Sequence, residues 1–525
     1  MSAPSVEGPL SEKTLQAVVF TSGASVMAVE MTGLRLLAPH FGTSLLVTTV
    51  LIGTLMGFLA LGYRVGGKLA DRHPTLQALC RVTLLASGLI LLIPLIGRPM
   101  LDAAGAVIRP LVTGATLSEP RVAAATVIGG ALGVLGLMAA PVTLMGMVSP
   151  WAIRLAVRGV EGSGAAAGRL YALSTFGSIL GSFLPALVLV PLLGVQRTYI
   201  AVGVVFAMVS ALGALRGATK ALPPALAASL LLLPPGSVRS MAGVVEEQES
   251  LYHFIQVVEE PYGDCPKAAH LYLNEGVGVH SVKCPEVGKE TRGFWTYTAA
   301  AALWLDDPPA LREVLIIGLA GGTIARQLLE VYPEAHVDGV EIDGAIVEVG
   351  RKYFDLDDPR VRPIVMDGRV YLGATEARYD LVLIDAYRQP YIPFHLVTVE
   401  FFREVAEHLN EDAVLAVNVA SVRGVSQSLA AMIYATMRAV FPQVIVVHAT
   451  QSNDILIATT RAKDPRIGVQ HLAETPSAVG FDTIRKRLPK RVAEEVEGWA
   501  EAAVLTDDDA PVELAWDLMA VDYAR

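Results

Sequence analysis

Residues 15 to about 235 are dominated by long apolar runs that carry almost no charge, whereas residues 236–525 show the short, interrupted apolar runs of a globular sequence. A helix needs about 20 predominantly apolar residues to cross the ~30 Å hydrocarbon core of a bilayer. Six segments meet that length: 15–38, 45–63, 78–97, 122–148, 166–193 and 198–215. A seventh, 222–235, is shortened by Pro223, Pro224, Pro234 and Pro235, which interrupt helical hydrogen bonding. The period then changes. LYHFIQVVEE (251–260) and HLYLNEGVGVHSV (270–282) read as strands punctuated by Gly263, Gly276 and Gly278. From about residue 294, the strands of REVLIIGLAGG, HVDGVEID, RVRPIVMDG and YDLVLIDAY alternate with helical stretches such as TIARQLLEVYP and AIVEVGRKYF, and AVLAVNVAS and VIVVHA continue the series. Such alternation predicts a parallel sheet with helices on both faces. The expected architecture is an α-helical membrane bundle (1–235), a small β region (236–290) and a Rossmann-like α/β domain with a C-terminal tail (291–525).

Composition sharpens this division. With 53% hydrophobic residues, 18% charged residues and a mean hydropathy of +0.49, the 525-residue chain is too apolar to be wholly soluble. Disorder, a collagen-like chain and a small disulfide scaffold are excluded. A net charge of −10 and scattered Lys and Arg leave no basic stripe for a phosphate backbone, so nucleic acid is not an expected partner. Cys80, Cys265 and Cys284 are too few and too separated for a metal site or a disulfide framework; no metal is expected, and a reducing compartment fits. The first thirteen residues hold Glu7 and Glu12 before Lys13 and lack the basic start of a removable signal, so the first apolar segment is expected to stay as an anchor.

Charge bias orients the bundle. With the N-terminus inside, the inner loops carry Arg64, Lys68, Arg72, Arg81, Arg154, Arg158, Arg169, Arg216 and Lys220, against Arg98, Arg109, Arg121 and Arg197 outside, and cytoplasmic loops are the basic ones. Six crossings return the chain to the cytoplasm; seven would leave its second half outside. The expectation is a multi-pass protein of the inner (plasma) membrane, with the lipid bilayer as a partner and the soluble part cytoplasmic. Gly62 and Gly66, Gly129 and Gly133, and Gly177 and Gly181 have the four-residue spacing that lets helices approach closely. Glu30, inside the first segment, is costly in lipid and is a candidate functional group.

The candidate chemistry lies at strand ends, where ligands bind in open α/β sheets. The first strand ends in GLAGG, with Gly318, Ala320, Gly321 and Gly322; the second ends at Glu341 and Asp343, the third at Asp367 and Gly368. A glycine turn admits close backbone approach, an acid at the next strand end can accept two ribose hydroxyls, and a third carboxylate can take the exocyclic amine of adenine. Together they describe a nucleoside pocket. The glycine spacing is not the full dinucleotide fingerprint and nothing calls for a pyrophosphate, so an S-adenosyl ligand fits better than NAD. Asp385, ending the fourth strand, would face the sulfonium side, where it could stabilise positive charge or deprotonate an incoming amine. His280 and His395 are further candidates for proton transfer or substrate contact.

On these residues the chain resembles the spermidine synthase (polyamine aminopropyltransferase) family, from about 250 to 450. LYLNEGVGVHS resembles the strand before that family's active site, VEID and MDG its nucleoside-binding motifs, and YDLVLIDAY its catalytic strand; Tyr297, twenty-one residues before Gly318, falls on its substrate-loop tyrosine. The apolar first half, with VTLMGMVSP and RLYALSTFGSILG, and LTDDDAPVE at 505–513, is similar to the membrane-fused branch. The resemblance implies decarboxylated S-adenosylmethionine as donor, methylthioadenosine as product, an amine such as putrescine or spermidine as acceptor, and a cytosolic catalytic domain; a second copy of the chain is a candidate partner. Departures are equally specific. Gly321 stands where the family has an Asp that holds the donor's amine tail, Arg388, Gln389 and Pro390 stand where a second Asp precedes a proline, Thr298 and Ala299 replace a His and a Glu, and His253 and His280 replace two glutamines. Substrate contacts are expected from His253, His280, Tyr297, Arg388 and His395, with Asp508, in the acidic run 507–509, as a substitute carboxylate, because unpaired ammonium groups are expensive to bury. Two alternatives stay open: cleavage of, or methyl transfer from, intact S-adenosylmethionine with Arg388 pairing its carboxylate, and a transporter or sensor for polyamines or nucleosides, motivated by Glu30 and the transporter-like loop GYRVGGKLADR (62–72).

Overall fold

The computed structural model describes residues 9–41, 45–112, 120–157, 159–160, 162–215, 223, 229, 241–263, 265–274, 278–286, 293–387, 392–421, 429–476 and 479–512. The segment 222–235 and Arg388 therefore lie outside the described residues, apart from Pro223 and Ser229. The chain divides into two compact units, one centred on residues 1–240 and the other on 255–525, with residues 248–254 grouped with the first.

The first unit is built of α1 (Pro9–Phe41), α2 (Leu45–Arg72), α3 (Leu76–Val112), α4 (Pro120–Leu137), α5 (Ala139–Gly146), α6 (Val148–Ala156), α7 (Ser163–Leu184) and α8 (Val190–Ala214). Small residues set its packing. A Cβ on Gly177 would lie 2.1 Å from the Phe20 carbonyl oxygen, and one on Gly181 would lie 2.0 Å from that of Ala24, so α7 runs beside α1 at a separation only glycine permits. At Gly194 (φ 77°, ψ 168°) the chain turns back, and α8 descends antiparallel to α3, with Gly203 against Leu91 and Gly213 against Cys80. Large apolar side chains such as Phe176, Phe183, Leu192 and Leu212 face outward. Among the described residues, four helical stretches are long and apolar enough to cross a membrane, or five if the pair bent by 57° between Leu137 and Ala139 counts as one span. The stretch Ser163–Ala214 contains two of the six segments expected, joined at Gly194. Glu30 is buried within α1.

The second unit opens with a four-stranded sheet, β1 (Val244–Glu249), β2 (Phe254–Tyr262), β3 (Cys265–Leu273) and β4 (Ser281–Lys283), in that order. A disulfide joins Cys265 to Cys284, nineteen residues apart with Cα atoms 6.1 Å from each other. This corrects the expectation that the cysteines are too separated to pair: β3 and β4 are antiparallel neighbours, so the start of one strand meets the end of the other. It also runs against the reducing compartment expected, since such bonds persist where thiols are not kept reduced. Removing the bond by Cys284→Ser is expected to destabilise this unit by about 2–4 kcal/mol. Thermal unfolding of wild type and variant, with and without reductant, checks this; an equal effect of reductant on both would refute it.

The larger sheet follows α9 (Phe294–Ala299). Its strands and helices are β5 (Glu313–Ile317), α10 (Thr323–Val331), β6 (His336–Glu341), α11 (Gly344–Phe354), β7 (Val361–Val365), α12 (Gly368–Ala374), β8 (Tyr379–Ile384), α13 (Val399–Glu407), β9 (Leu409–Ala420), α14 (Leu429–Arg438), β10 (Gln443–Val447), β11 (Asn453–Thr459), α15 (Ile467–Glu474), α16 (Val479–Asp482) and the short β12 (Val492–Ala493). The order is β12-β10-β11-β9-β8-β5-β6-β7. Strands β5 to β9 pair in parallel, as expected; the apolar runs of β5, β8 and β9 are buried on both faces between helices, whereas the edge strand β7 is partly exposed. The sheet is mixed rather than parallel throughout, because β11 inserts antiparallel between β9 and β10. NDILIAT, the strand responsible, follows VIVVHA after a short turn, which permits a hairpin but no crossover helix.

Candidate active site

Strand β5 lies between β6 and β8, so the chain leaves it towards opposite sides of the sheet, and the carboxyl ends of β5 to β9 form one edge. That topology places the glycine turn and the acidic strand ends together. Gly318 has φ +91°, and a Cβ there would lie 2.5 Å from the Asp385 carbonyl oxygen, so the turn after β5 touches the end of β8. Ala320 is left-handed at φ +47°, a conformation that costs an L-residue roughly 1–2 kcal/mol. Its N–H donates to Glu341 Oε2 at 3.0 Å, which holds the turn in place. The Gly321 N–H donates to Ser281 Oγ at 2.8 Å, and Gly322, at φ +80°, starts α10. Ser281 was not picked out in the sequence; a serine in a strand carries no signal until β4 is placed against the turn.

Glu341 is 7% exposed, and its Oε1 accepts the Asp343 N–H at 3.2 Å. The carboxylate thus ties the turn to the next helix. Asp343, expected to bind the ligand, caps α11: it is 2% exposed and accepts from the Ala345 N–H at 3.1 Å, because a carboxylate just before a helix satisfies that helix's first free N–H groups. Asp367 caps α12 through Oδ1, taking the Arg369 and Val370 N–H groups at 2.9 and 3.1 Å, and its Oδ2 meets His395 Nε2 at 2.9 Å. Burial raises the Asp367 pKa, but the His395 bond and the backbone donors outweigh it, and the carboxyl lies below its ordinary range. Gly368 packs on Ile317, where a Cβ would come within 2.4 Å.

Asp385 differs from the other acids. Burial raises its pKa to about 7, only partly offset by Asn418 Nδ2, which donates to Oδ1 at 2.7 Å. A carboxyl of that kind exchanges a proton near neutrality. Asn418 sits in the buried run of β9 and is 1% exposed; the lone polar residue in AVLAVNVA was the signal for it. Tyr297, on α9, is 5% exposed, and its ring lies 5.5 Å from the Arg491 guanidinium. Among the described residues its hydroxyl has no hydrogen-bond partner.

The remaining candidates divide. His395 joins Asp367, and His280 precedes Ser281, its N–H donating to Leu271 O at 2.9 Å. His253 is buried in the turn before β2, in the stretch grouped with the helical unit, with its N–H on Ser250 Oγ at 2.8 Å. Asp508 is exposed in a turn closed by Thr506 and Asp509 and approaches no strand-end acid through a described contact. Its neighbour Asp507 is committed to Arg369, at 2.7 and 2.8 Å, and to Thr398 Oγ1 at 2.7 Å; Arg369 also holds Glu404. The tail therefore folds back onto α12, with Asp507 already paired to Arg369.

Comparison with known proteins agrees with the motif resemblance. Residues 301–454 match the family described as "Spermine/spermidine synthase domain". The chain is 31% identical over 287 residues to a probable polyamine aminopropyl transferase of Bifidobacterium longum, covering 51% of this chain and 61% of that one. It is 29% identical over 291 residues to a polyamine aminopropyltransferase of Vibrio vulnificus, covering 54% and 94%. A probable spermidine synthase from Corynebacterium glutamicum superimposes with a TM-score of 0.41 at 20% identity, over 51% of this chain and 97% of that one. The C-terminal part of the chain carries a spermine/spermidine synthase domain.

Proposed function

We propose that this chain is a membrane-held aminopropyltransferase that moves the aminopropyl group of decarboxylated S-adenosylmethionine to an amine such as putrescine. The adjacency of Asp385 to the glycine turn carries this reading, since it sets a proton acceptor beside the place a nucleoside would occupy. Glu341 would accept the ribose hydroxyls, Asp367 the adenine amine, and Tyr297 would offer its hydroxyl to the acceptor. The amine nitrogen attacks the methylene carbon next to the sulfonium as the C–S bond breaks; its electron pair returns to sulfur, methylthioadenosine leaves, and the proton lost by nitrogen passes to Asp385. Holding both reactants in line supplies much of the rate. The apolar helices of the first unit would hold the chain in the plasma membrane bilayer.

One observation favours a second reading, in which intact S-adenosylmethionine is cleaved or serves as a methyl donor. A Cβ at Gly321 would lie 2.9 Å from Phe354 Cγ and 2.9 Å from Ser281 Cβ, so the position where the resembling family has its Asp is closed by packing. The test is mass spectrometry of products from detergent-purified protein given decarboxylated or intact S-adenosylmethionine, with and without putrescine or spermidine. Aminopropylated amine with methylthioadenosine supports transfer. Methylthioadenosine from the intact donor without amine supports cleavage, and binding without turnover in every mixture supports a sensor or transporter.

A further inference from the structure

The segment 385–387 is attached to β9 at two points. Asn418 Nδ2 donates to Asp385 Oδ1 at 2.7 Å, and two residues further on the Tyr387 hydroxyl donates to the Asn418 carbonyl oxygen at 2.9 Å while accepting the Ala420 N–H at 2.7 Å. The Asn418 side chain is in turn oriented from behind. Asn453 Nδ2, on β11, donates to Asn418 Oδ1 at 3.1 Å, and Thr450 Oγ1 donates to Asn453 Oδ1 at 3.2 Å. Each amide oxygen in this row is occupied by a donor, so neither amide can flip without losing a bond, and Asn418 is left with only its N–H to present to Asp385. The row crosses β8, β9 and β11 on one face of the sheet, and Asn418 is 1% exposed.

We propose that Asn418, aligned by Asn453, is a positioning residue for Asp385: it pins Oδ1 and reserves Oδ2 as the oxygen that takes up and releases the proton. The donor on Oδ1 stabilises the carboxylate, which makes proton uptake occur at lower pH than in the same pocket without it. A hydrogen bond given to a charged group is strong enough to displace a titration by about one pH unit. The catalytic consequence rests on the transferase reading; the geometric claim does not.

The test follows the Asp385 carboxyl directly, by infrared titration of full-length protein labelled with ¹³C-aspartate, with Asp385→Asn as the blank, alongside the pH–rate profile. In Asn418→Leu the Asp385 titration is expected to move up by about one pH unit. Its kcat is expected to fall about tenfold or more, with KM for the nucleoside donor within about twofold of wild type. Asn453→Ala, which leaves Asn418 in place, is expected to give a smaller shift in the same direction and provides the test if Asn418→Leu does not fold. An Asp385 titration unchanged in both variants, or a KM rise with an unmoved pH profile, overturns the proposal. A shifted titration in protein that makes no product leaves the positioning role standing and removes the transferase reading.

Discussion

Replacing Asp385 by Asn is expected to reduce product formation by about 10²- to 10⁴-fold, the usual contribution of a positioned general base, while methylthioadenosine still binds. The expectation follows from a carboxyl whose pKa burial holds at about 7 and whose backbone abuts the glycine turn. Wild-type turnover should rise as pH increases through about 7, where Asp385 becomes able to accept a proton, and the variant should lack that limb. Stability gives an independent readout with the opposite sign. The folded pKa lies above the ordinary aspartate value near 3.9, so between pH 4 and 7 the folded state binds more protons than the unfolded one, and stability falls as pH rises across that window. At pH 8 the buried charge costs the fold up to about 4 kcal/mol, which Asp385→Asn relieves. A variant that is inactive yet melts higher at pH 8, by calorimetry or thermal scanning, fits a residue kept for chemistry at the expense of stability. A variant that is inactive and less stable at every pH would mark Asp385 as structural.

Much of the architecture was legible because the determining patterns are local. Apolar segment length marked the helices of the first unit, and strand–helix alternation placed β5 to β9 in a parallel sheet whose strand ends carry Gly318, Glu341, Asp367 and Asp385. What escaped depended on contacts distant in sequence. The series of strands read from the pattern ends at VIVVHA, so the antiparallel β11 lies beyond it, and with it Asn453, which bonds to Asn418 on β9. Cys265 and Cys284 read as unrelated until β3 and β4 are antiparallel neighbours. Asp343 and Asp367 share one sequence signature, an acid just after a strand, and both cap the helix that follows, but Asp367 also meets His395 with its second oxygen. The acidic run 507–509 suggested a carboxylate for an amine; Arg369, 138 residues earlier in the chain, claims Asp507 first.

Glu341 distinguishes a nucleoside pocket from a turn that merely looks like one. Its oxygens accept the Ala320 and Asp343 N–H groups, and the former bond helps hold Ala320 at φ +47°. Glu341→Ala removes both acceptors and leaves two N–H groups unsatisfied, so its effect mixes folding with binding. Glu341→Gln is the sharper variant. It retains one carbonyl oxygen for the turn but replaces the other acceptor with an N–H₂ that cannot receive a hydroxyl or a backbone proton. Losing one charge-assisted bond to a ribose hydroxyl, at about 1.5–3 kcal/mol, predicts methylthioadenosine affinity weaker by about 10- to 10²-fold. Calorimetric titration of methylthioadenosine and of its 2′-deoxy analogue into wild type and variant separates the cases. If Glu341 holds the ribose, the analogue binds wild type poorly and the variant no longer distinguishes the two ligands. If wild type binds both equally, Glu341 serves only the turn, and the site must be rebuilt around a ligand without a ribose.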